Sequence, residues 1–319
     1  MNIRTFTNAD YDSIVEIRNG LNIVWPAWPR DPAAWREIDR NRDPKCAFQR
    51  WVAEEDGKVV GAASRGRRLD DYHPQKFYIN IEVPAACRNH GIGTALYDRL
   101  MEDIQPFEPR VLRTDILENQ IQSYPFMQKR GFKEVWRETP VHLDVAGFDP
   151  TPYAGIEAKL HTEGITITSM HALEGDPQRD RKAYELYIAL CRDVPSEYEE
   201  FTVFPYEDWV KMCLQDPSTD LDAFFIVTQG DRYIALHELG PDSQGKELLG
   251  SLMGTLPEFR GRQIGLALMV RAITFAKERN LPVFKTCTAV TNKPMQSIFN
   301  RLGFGRDPEW LQCQKDIEG

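Results

Sequence analysis

The sequence predicts two copies of one α/β fold in tandem, and three observations support this prediction. The chain has 319 residues, which is the length of about two domains. A short motif of arginine and glycine occurs once in each half. In both halves, a predicted strand precedes the motif and a predicted helix follows it.

The repetition is the strongest of these observations. The first copy of the motif reads CRNHGIGTAL and begins its match at Arg88, and the second reads FRGRQIGLAL and begins its match at Arg260. We call the separation of these two arginines along the chain the repeat offset. Downstream, Gly131-Phe132 and Gly303-Phe304 are separated by the same repeat offset. A register held without a gap over this stretch indicates two homologous domains.

The elements of the first half follow from local periodicity. Residues 76–83 alternate and predict a strand, with Glu82 on its polar face beside Tyr78 and Asn80. Apolar residues at helical spacing from Ile92 onward predict a helix. A second strand is predicted over 111–117, followed by a helix that ends at a C′ glycine, Gly131.

The second half repeats this order. The sequence predicts a strand over 247–256, a helix from Ile264 to Arg279, a strand over 282–290 and a helix from about Pro294 to Leu302. This last helix is stopped by Gly303.

Domain boundaries are predicted from a turn signal between the halves. We expect a first domain over 1–143, a helical linker over 144–163 and a second domain over 164–319. Thr151 is the predicted N-cap of the linker helix, with Pro152 at its first position. Its apolar stripe, which we expect to pack on one domain, is Tyr153, Ile156 and Leu160.

Composition narrows the function classes. The net charge is −9 and the pI is near 5.3, which disfavours nucleic acid as a partner. No apolar run reaches the roughly 18–20 residues of a membrane span, and the N-terminus lacks a secretory signal, so we expect a cytoplasmic protein without a membrane partner. The six cysteines show no metal-ligand spacing, so no metal is expected. The oligomeric state is left open between monomer and homodimer.

A strand, then Arg-x-x-Gly-x-Gly, then a helix is an arrangement suited to a phosphate. The first turn of a helix offers unpaired N–H groups and the positive end of the helix dipole. Glycines let successive N–H groups converge on an anion. A P-loop would end in Gly-Lys-Ser/Thr, and a dinucleotide fingerprint has a different glycine spacing.

With these motifs, both halves of the chain resemble the GNAT superfamily of N-acetyltransferases. The match covers residues 83–95 (VPAACRNHGIGTA) and 255–267 (TLPEFRGRQIGLA). The resemblance implies a mixed central sheet flanked by helices in each domain, with two strands splayed around the pantetheine arm of acetyl-CoA. Backbone N–H groups of 88–94 or 260–266 would bind the pyrophosphate. The residues expected at the cofactor are Ile81, Val83, Arg88, Asn89, His90, Gly91, Ile92, Gly93 and Thr94 in the first half, and Thr255, Arg260, Gly261, Arg262, Gln263, Ile264, Gly265 and Asn292 in the second.

The sequence departs from the family pattern at four positions. Gln263 stands where the first family glycine of the second loop is expected. Met127 and Phe299 stand where many members carry a tyrosine that protonates the leaving thiolate. The first half has Gln120 at the position of Asn292.

Glu82 and Tyr124 are the candidate catalytic residues. A carboxylate at Glu82 could relay the proton of an incoming ammonium, and Tyr124 could replace the missing acid. The position matching Glu82 in the second half is Gly254. If Glu82 is not the base, the second half offers His237 and Glu238.

Two aromatic and acidic stretches are candidates for the roof of an acceptor pocket, as the resemblance implies. The first contains Trp25, Trp28 and Trp35, and the second runs from Pro195 to Trp209. Aromatic faces and carboxylates suit an ammonium group.

The function predicted from these features is transfer of an acetyl group from acetyl-CoA to a primary amine of a small molecule or peptide. No cysteine lies in a sequence context typical of a catalytic nucleophile. We therefore expect direct transfer of the acetyl group in a ternary complex. We expect the first half to bind CoA more tightly. The alternatives are a CoA-binding sensor or scaffold without turnover, and catalysis confined to the second half.

Overall fold

The chain forms two compact units, which we call unit 1 and unit 2. Unit 1 consists of Met1–Arg137 together with the chain from Glu309 onward, and unit 2 is Glu138–Pro308. A computed structural model describes residues 1–21, 31–69, 71–195, 203, 205–216, 219–242 and 245–317.

Helices and strands alternate along the chain in a similar order in both halves. The first half contains β1 (Asn2–Thr5), α1 (Tyr11–Gly20), α2 (Pro32–Arg40), β2 (Gln49–Glu55), β3 (Lys58–Gly66), β4 (Lys76–Glu82), α3 (Ile92–Ile104), β5 (Val111–Leu117), α4 (Ser123–Gln128) and β6 (Lys133–Asp144). The second contains α5 (Ile156–Thr162), β7 (Ile165–Ser169), α6 (Arg179–Cys191), α7 (Tyr206–Trp209), β8 (Phe224–Gln229), β9 (Arg232–Pro241), β10 (Leu248–Thr255), α8 (Ile264–Glu278), β11 (Val283–Ala289), α9 (Lys293–Leu302), β12 (Gly305–Arg306) and β13 (Trp310–Asp316).

Each unit is built on a mixed sheet. In unit 1, β1 to β4 are antiparallel neighbours in chain order, β5 is parallel to β4, and β13 is antiparallel to β5. In unit 2, β7 to β10 are antiparallel neighbours, β11 is parallel to β10, and β6 is antiparallel to β11. This architecture confirms the predicted mixed α/β class.

The last strand of each sheet comes from the other half of the chain. In unit 1, Val111 pairs with Asp316 and Leu117 with Trp310. In unit 2, Val283 pairs with Asp144 and Ala289 with Glu138. Each of these positions in unit 2 is related to one in unit 1 by the repeat offset, so the two exchanged strands have the same register. The compact units therefore differ from the predicted ranges 1–143 and 164–319, whose boundaries as repeats stay a prediction.

Helices α3 and α8 cover equivalent faces of the two sheets. On α3, Ile92, Leu96, Leu100 and Ile104 are buried at helical spacing and pack on Phe77 of β4, among other residues. On α8 a longer run of apolar residues is buried against the core of unit 2. These two helices place a main hydrophobic core on one side of each sheet.

The strands and long helices lie within one residue of the sequence predictions, and two helix predictions differ by more. Strand β5 has the predicted bounds. Helix α4 ends at Gln128, before Gly131, which takes the left-handed conformation in the turn that follows. Thr151 does not cap a linker helix. Pro150 is the N-cap of a short 3-10 turn, and α5 begins at Ile156 and packs on the core of unit 2.

Within the described part of the chain, none of the helices has both the length and the apolar character that crossing a membrane requires.

Candidate functional site

In unit 1, the segment between β4 and α3 forms a tight loop at the start of the helix. A 3-10 turn over Ala85–Cys87 leads into it. Asn89 and Gly91 adopt left-handed backbone conformations, with φ of 65° and 83°. The Arg88 Nε donates a hydrogen bond of 3.0 Å to the Val83 carbonyl oxygen, so the arginine ties the loop to the end of β4.

The loop between β10 and α8 repeats this geometry in unit 2. The Arg260 Nε donates to the Thr255 carbonyl oxygen, also at 3.0 Å. Gly261 and Gln263 are left-handed, with φ of 78° and 67°. The left-handed positions coincide in the two loops, but the glycine comes second in unit 1 and first in unit 2. Gln263 thus keeps the backbone shape, at a cost of roughly 1–2 kcal/mol for a side chain in this conformation.

Both loops have the geometry of an anion site. The first N–H groups of α3 and α8 have no partner within their helices, and each helix directs the positive end of its dipole at the loop. A Cβ added at Gly91 would meet no atom within 4 Å, so the loop faces open space. A phosphate or pyrophosphate can therefore approach the backbone.

Beside the first loop, β4 and β5 diverge. The two strands pair only over Lys76–Tyr78 and Val111–Arg113, although both continue beyond these residues. The gap opens into a cavity of about 510 Å³. Its lining residues are Leu21, Asn80, Ile81, Glu82, Val83, Arg88, Asn89, Gly91, Gly93, Thr94, Thr114, Asp115, Ile116, Gln120, Ile121, Gln122, Ser123, Pro125, Phe126, Met127 and Lys129.

Most of the predicted cofactor residues of the first half line this cavity. His90 and Ile92 do not. His90 is exposed at the outer side of the loop, and Ile92 is buried in the core under α3. Because its side chain is buried, Ile92 can contribute only through its backbone N–H group. The structure therefore brings Ile81, Val83 and the loop residues together, while the cofactor role of the whole set stays a prediction.

Glu82 is buried in the cavity wall rather than solvated, with 6 % of the residue exposed. Its Oε1 lies 2.6 Å from the Nε of Arg18 on α1. The Asn80 Nδ2 donates a hydrogen bond of 2.9 Å to the same oxygen. The carboxylate at the end of β4 is thus one half of a buried ion pair.

Tyr124, the predicted acid, lies on α4 and packs against the apolar core of unit 1. Its neighbours Ser123 and Pro125 line the cavity instead. Met127, at the position where the family resemblance implies a tyrosine, is buried and also lines the cavity. Proton donation by Tyr124 stays a prediction, which this placement does not favour.

In unit 2 an apolar side chain occupies the place of the ion pair. Leu190 and Gly254 are related to Arg18 and Glu82 by the repeat offset. A Cβ added at Gly254 would lie 2.9 Å from Leu190 Cδ2, so the leucine packs directly on the strand backbone.

Two polar residues predicted to bind the cofactor in the second half, Arg260 and Asn292, make contacts with nearby protein groups. Arg260 forms an ion pair with Asp193 on the protein surface, where such pairs contribute little to stability. The Asn292 Oδ1 accepts a hydrogen bond of 3.3 Å from the Met295 N–H and caps α9. Asn292 is therefore an N-cap residue, whereas its counterpart Gln120 lines the cavity of unit 1.

The alternative bases of the second half are both largely buried. Burial lowers the pKa of His237 to about 3, against a hydrogen bond with the backbone of Leu268 that raises it. His237 Nδ1 has no hydrogen-bond partner among the residues that the structure describes. Burial raises the pKa of Glu238, while hydrogen bonds with Ser251 and Cys213 lower it.

The predicted aromatic roofs lie partly outside the described residues. This applies to Trp25, Trp28 and residues 196–202 and 204. Of the remaining residues, Trp35 is buried, and the guanidinium of Arg18 lies 4.4 Å from its ring centroid. Trp209 is fully buried and packs on Tyr184 and Tyr187.

Arg18 is the functional candidate that the sequence reasoning missed. Nothing near Arg18 in the sequence marks it, because its partner Glu82 lies on a distant strand. One signal was available in the repeat itself. Position 18 changes from arginine to leucine and position 82 from glutamate to glycine between the two copies, and such a paired change suggests contact.

The family assignment follows from comparison with known proteins. The chain belongs to the acetyltransferase (GNAT) family, whose model matches residues 14–132 and again 183–304. The two matched stretches carry the two loops and, in unit 1, the diverging strands β4 and β5.

Solved structures share the fold over the full chain. A GCN5-related N-acetyltransferase from Sphaerobacter thermophilus superposes with a TM-score of 0.74 at 17% identity, covering 100% of this chain and 96% of that one. A tandem GNAT protein from the clavulanic acid biosynthesis pathway gives 0.71 at 15% identity, covering 100% and 99%.

A curated relative matches a short segment. An uncharacterized N-acetyltransferase of Methanocaldococcus jannaschii is 39% identical over 64 residues, which is 19% of this chain and 28% of that protein. The match thus spans less than a third of the relative's length.

Proposed function

We propose that unit 1 transfers an acetyl group from acetyl-CoA to a primary amine. The cavity between β4 and β5 is the observation that supports this most directly. It joins the anion-binding loop at one end to the buried carboxylate of Glu82 in its wall. Membership of the GNAT family supports acetyl-CoA as the donor.

The residues at the cavity fit this donor. The backbone N–H groups of 88–94 would bind the pyrophosphate, and the cations Arg88 and Lys129 line the same cavity. Ile81, Val83 and Ile116 give the strand gap an apolar lining that suits a pantetheine arm. When bound, acetyl-CoA supplies a thioester whose carbonyl carbon is open to attack.

The amine needs a proton acceptor, because primary amines have a pKa near 10 and attack only when unprotonated. In our proposal the proton passes from the amine nitrogen to the Glu82 carboxylate, directly or through one water. The unprotonated nitrogen attacks the thioester carbon, so that the N–C bond forms as the C–S bond breaks. The acylated nitrogen releases its second proton to solvent, and the departing thiolate takes one proton from solvent. Glu82 then releases its proton to solvent. Asn80 and Asp115 line the same cavity and suit the ammonium of a small molecule or peptide.

Unit 2 is proposed to have lost turnover. Leu190 fills the place of the ion pair, Gly254 offers no proton acceptor, and Arg260 is already paired with Asp193. The loop keeps its shape, so weak binding of CoA there is compatible with this proposal.

Two matched substitutions test which unit binds the donor. A Cβ at Gly93 would touch the Phe126 ring at 3.4 Å, and one at Gly265 would touch Ile298 Cδ1 at 3.3 Å, so tryptophan has equally little room at either site. We expect calorimetry to show that Gly93→Trp abolishes tight binding of acetyl-CoA and that Gly265→Trp leaves it intact. The opposite result would assign binding to unit 2.

Turnover is tested by thiol release from acetyl-CoA with a panel of primary amines. We expect release that depends on the amine. The alternative is a CoA-binding sensor, which is favoured by one observation, Met127 in the cavity wall where the family resemblance implies a tyrosine. Tight binding without thiol release for any amine would support the sensor. The cytoplasm remains our proposed compartment, on sequence grounds alone.

A further inference from the structure

We infer that Arg18 is a positioning residue, which fixes the Glu82 carboxylate in the cavity wall. This inference rests on the proposed function of unit 1. It assigns a role to a residue outside the loop and outside the cavity lining.

The contact between the two side chains is close and enclosed. Arg18 Nε and Glu82 Oε1 are 2.6 Å apart, and the side chains are 12% and 7% exposed. The Trp35 ring covers the guanidinium at 4.4 Å from its centroid. Asn80 binds the same carboxylate oxygen from β4. The position of the carboxylate is therefore set from two elements, α1 and β4.

Other charged groups lie around the pair. Burial lowers the pKa of Arg18, and the charge of Glu82 opposes that shift. Arg50 lowers the pKa of Arg18 further and Asp39 raises it. Asp115 on β5 faces the same cavity. Removing Arg18 would leave the buried Glu82 carboxylate without the cation that contacts it and holds it in place.

Stability alone does not require this ion pair. The structure shows the alternative in unit 2, where Leu190 packs on Gly254 at the same positions. Replacing a buried ion pair by apolar contact is commonly neutral or stabilising, because it removes the desolvation penalty of two charges. Unit 1 keeps the costlier pair where Glu82 reaches the cavity, which indicates that the charges serve the reaction there.

Three variants of the full-length chain test the role of Arg18. Arg18→Met removes the charge and keeps much of the side-chain volume. Arg18→Lys keeps the charge. The double variant Arg18→Leu with Glu82→Gly copies the arrangement of unit 2 and provides a folded control if the single change to methionine destabilises the protein. For each variant we would measure thiol release with an active amine, acetyl-CoA affinity by calorimetry, and the melting temperature.

We expect Arg18→Met to lower kcat by about tenfold or more while acetyl-CoA affinity stays within about twofold of the parent. Arg18→Lys should recover most of the lost kcat. The double variant should melt near the parent and bind acetyl-CoA without turnover. Parental kcat in Arg18→Met, or a fall in kcat matched by an equal loss of acetyl-CoA affinity, overturns the inference. A parent that binds acetyl-CoA but releases no thiol with any amine overturns the proposed function, and the inference with it.

Discussion

Units 1 and 2 use the same face of the sheet in different ways. In unit 2, helix α6 buries an apolar cluster there, made of Met170, Ala183, Leu186, Leu190, Trp209, Cys213, Phe224, Ile226, Tyr233 and Leu236. In unit 1, α1 covers the equivalent face with two small clusters, Tyr11, Val15 and Trp35, and Ile14, Val52 and Ala62. The ion pairs Arg18–Glu82 and Arg50–Asp39 lie on this face of unit 1 together with the two clusters.

The difference shows how a duplicated fold can separate stability from function. Both units keep a large apolar core on the face covered by α3 or α8. The other face is then free to change, because it is not needed for the main core. Unit 2 has filled it with apolar side chains, and unit 1 keeps buried charges next to a cavity.

Removing the exchanged strand β13 should have the largest effect on stability. A chain ending at Pro308 lacks β13, so that unit 1 loses the partner of β5 and the buried residues Leu311 and Cys313. Arg113 also loses its contacts with Gln312 and Gln314. We expect unit 1 to be destabilised by about 5 kcal/mol or more, which is comparable with the whole stability of a domain.

Hydrogen exchange measured unit by unit checks this prediction. Protection should disappear from the amides of unit 1 first. A chain ending at Ile317 keeps β13 and is the control, with a melting temperature near that of the parent. Full protection of unit 1 in the shorter chain would show that β13 is dispensable.

Placing a charge in the apolar face of unit 2 should have the next largest effect on the free energy of unfolding. Leu190→Arg puts a cation beside Gly254, where the residues described around it are mainly apolar. We expect a loss of about 3–5 kcal/mol in the free energy of unfolding. Adding Gly254→Glu supplies the partner that unit 1 has, and part of the loss should return.

Denaturant unfolding of the two single variants and the double variant measures this coupling. Additive effects would mean that unit 2 cannot accommodate the ion pair, and that its backbone has diverged from unit 1 at this position.

His237 predicts a pH dependence of stability specific to unit 2. Burial lowers its pKa to about 3, whereas an unfolded chain has a histidine pKa near 6.5. Between these values the unfolded chain binds a proton that the folded chain does not bind, so stability falls as the pH falls through this window. The expected loss is about 1.4 kcal/mol for each pH unit inside the window.

Unit 1 provides the matched variant, because Ala63 occupies the position of His237 in the pairing with the neighbouring strand. His237→Ala should therefore flatten the fall in melting temperature between pH 6.5 and 4.5, whatever it does to stability at neutral pH. An unchanged slope would show that other groups cause the acid sensitivity.

The smallest expected effect concerns catalysis. Glu82→Gln keeps the volume and removes the carboxylate, and we expect kcat to fall by at least about tenfold, or roughly 1.4 kcal/mol of barrier. Acetyl-CoA affinity should stay nearly unchanged. Glu238→Gln in unit 2 is the control and should keep kcat within about twofold. If Glu238→Gln lowers kcat and Glu82→Gln does not, the base lies in unit 2.

Part of this site could be read from the sequence because it depends on neighbours along the chain. The alternation of 76–83 and the spacing of Ile92, Leu96 and Leu100 are local patterns, and they predicted β4, α3 and the loop between them. The glycines predicted an unusual backbone there, and the structure shows left-handed residues in both loops. The repeat offset, which holds from Arg88 to Phe132, carried these predictions from one half to the other.

Tertiary structure alone decided the long-range features. Alternation places Glu82 on the polar face of a strand but cannot say that α1 will bury it against Arg18. The exchange of β6 and β13 could not be predicted from local sequence patterns either, because it joins distant parts of the chain. Arg113, for example, contacts Gln314 across 201 residues of sequence. The sequence by itself determined two copies of one fold with two similar loops, since local sterics and periodicity depend on adjacent residues. Which copy holds a charged cavity depends on side chains that only packing brings together.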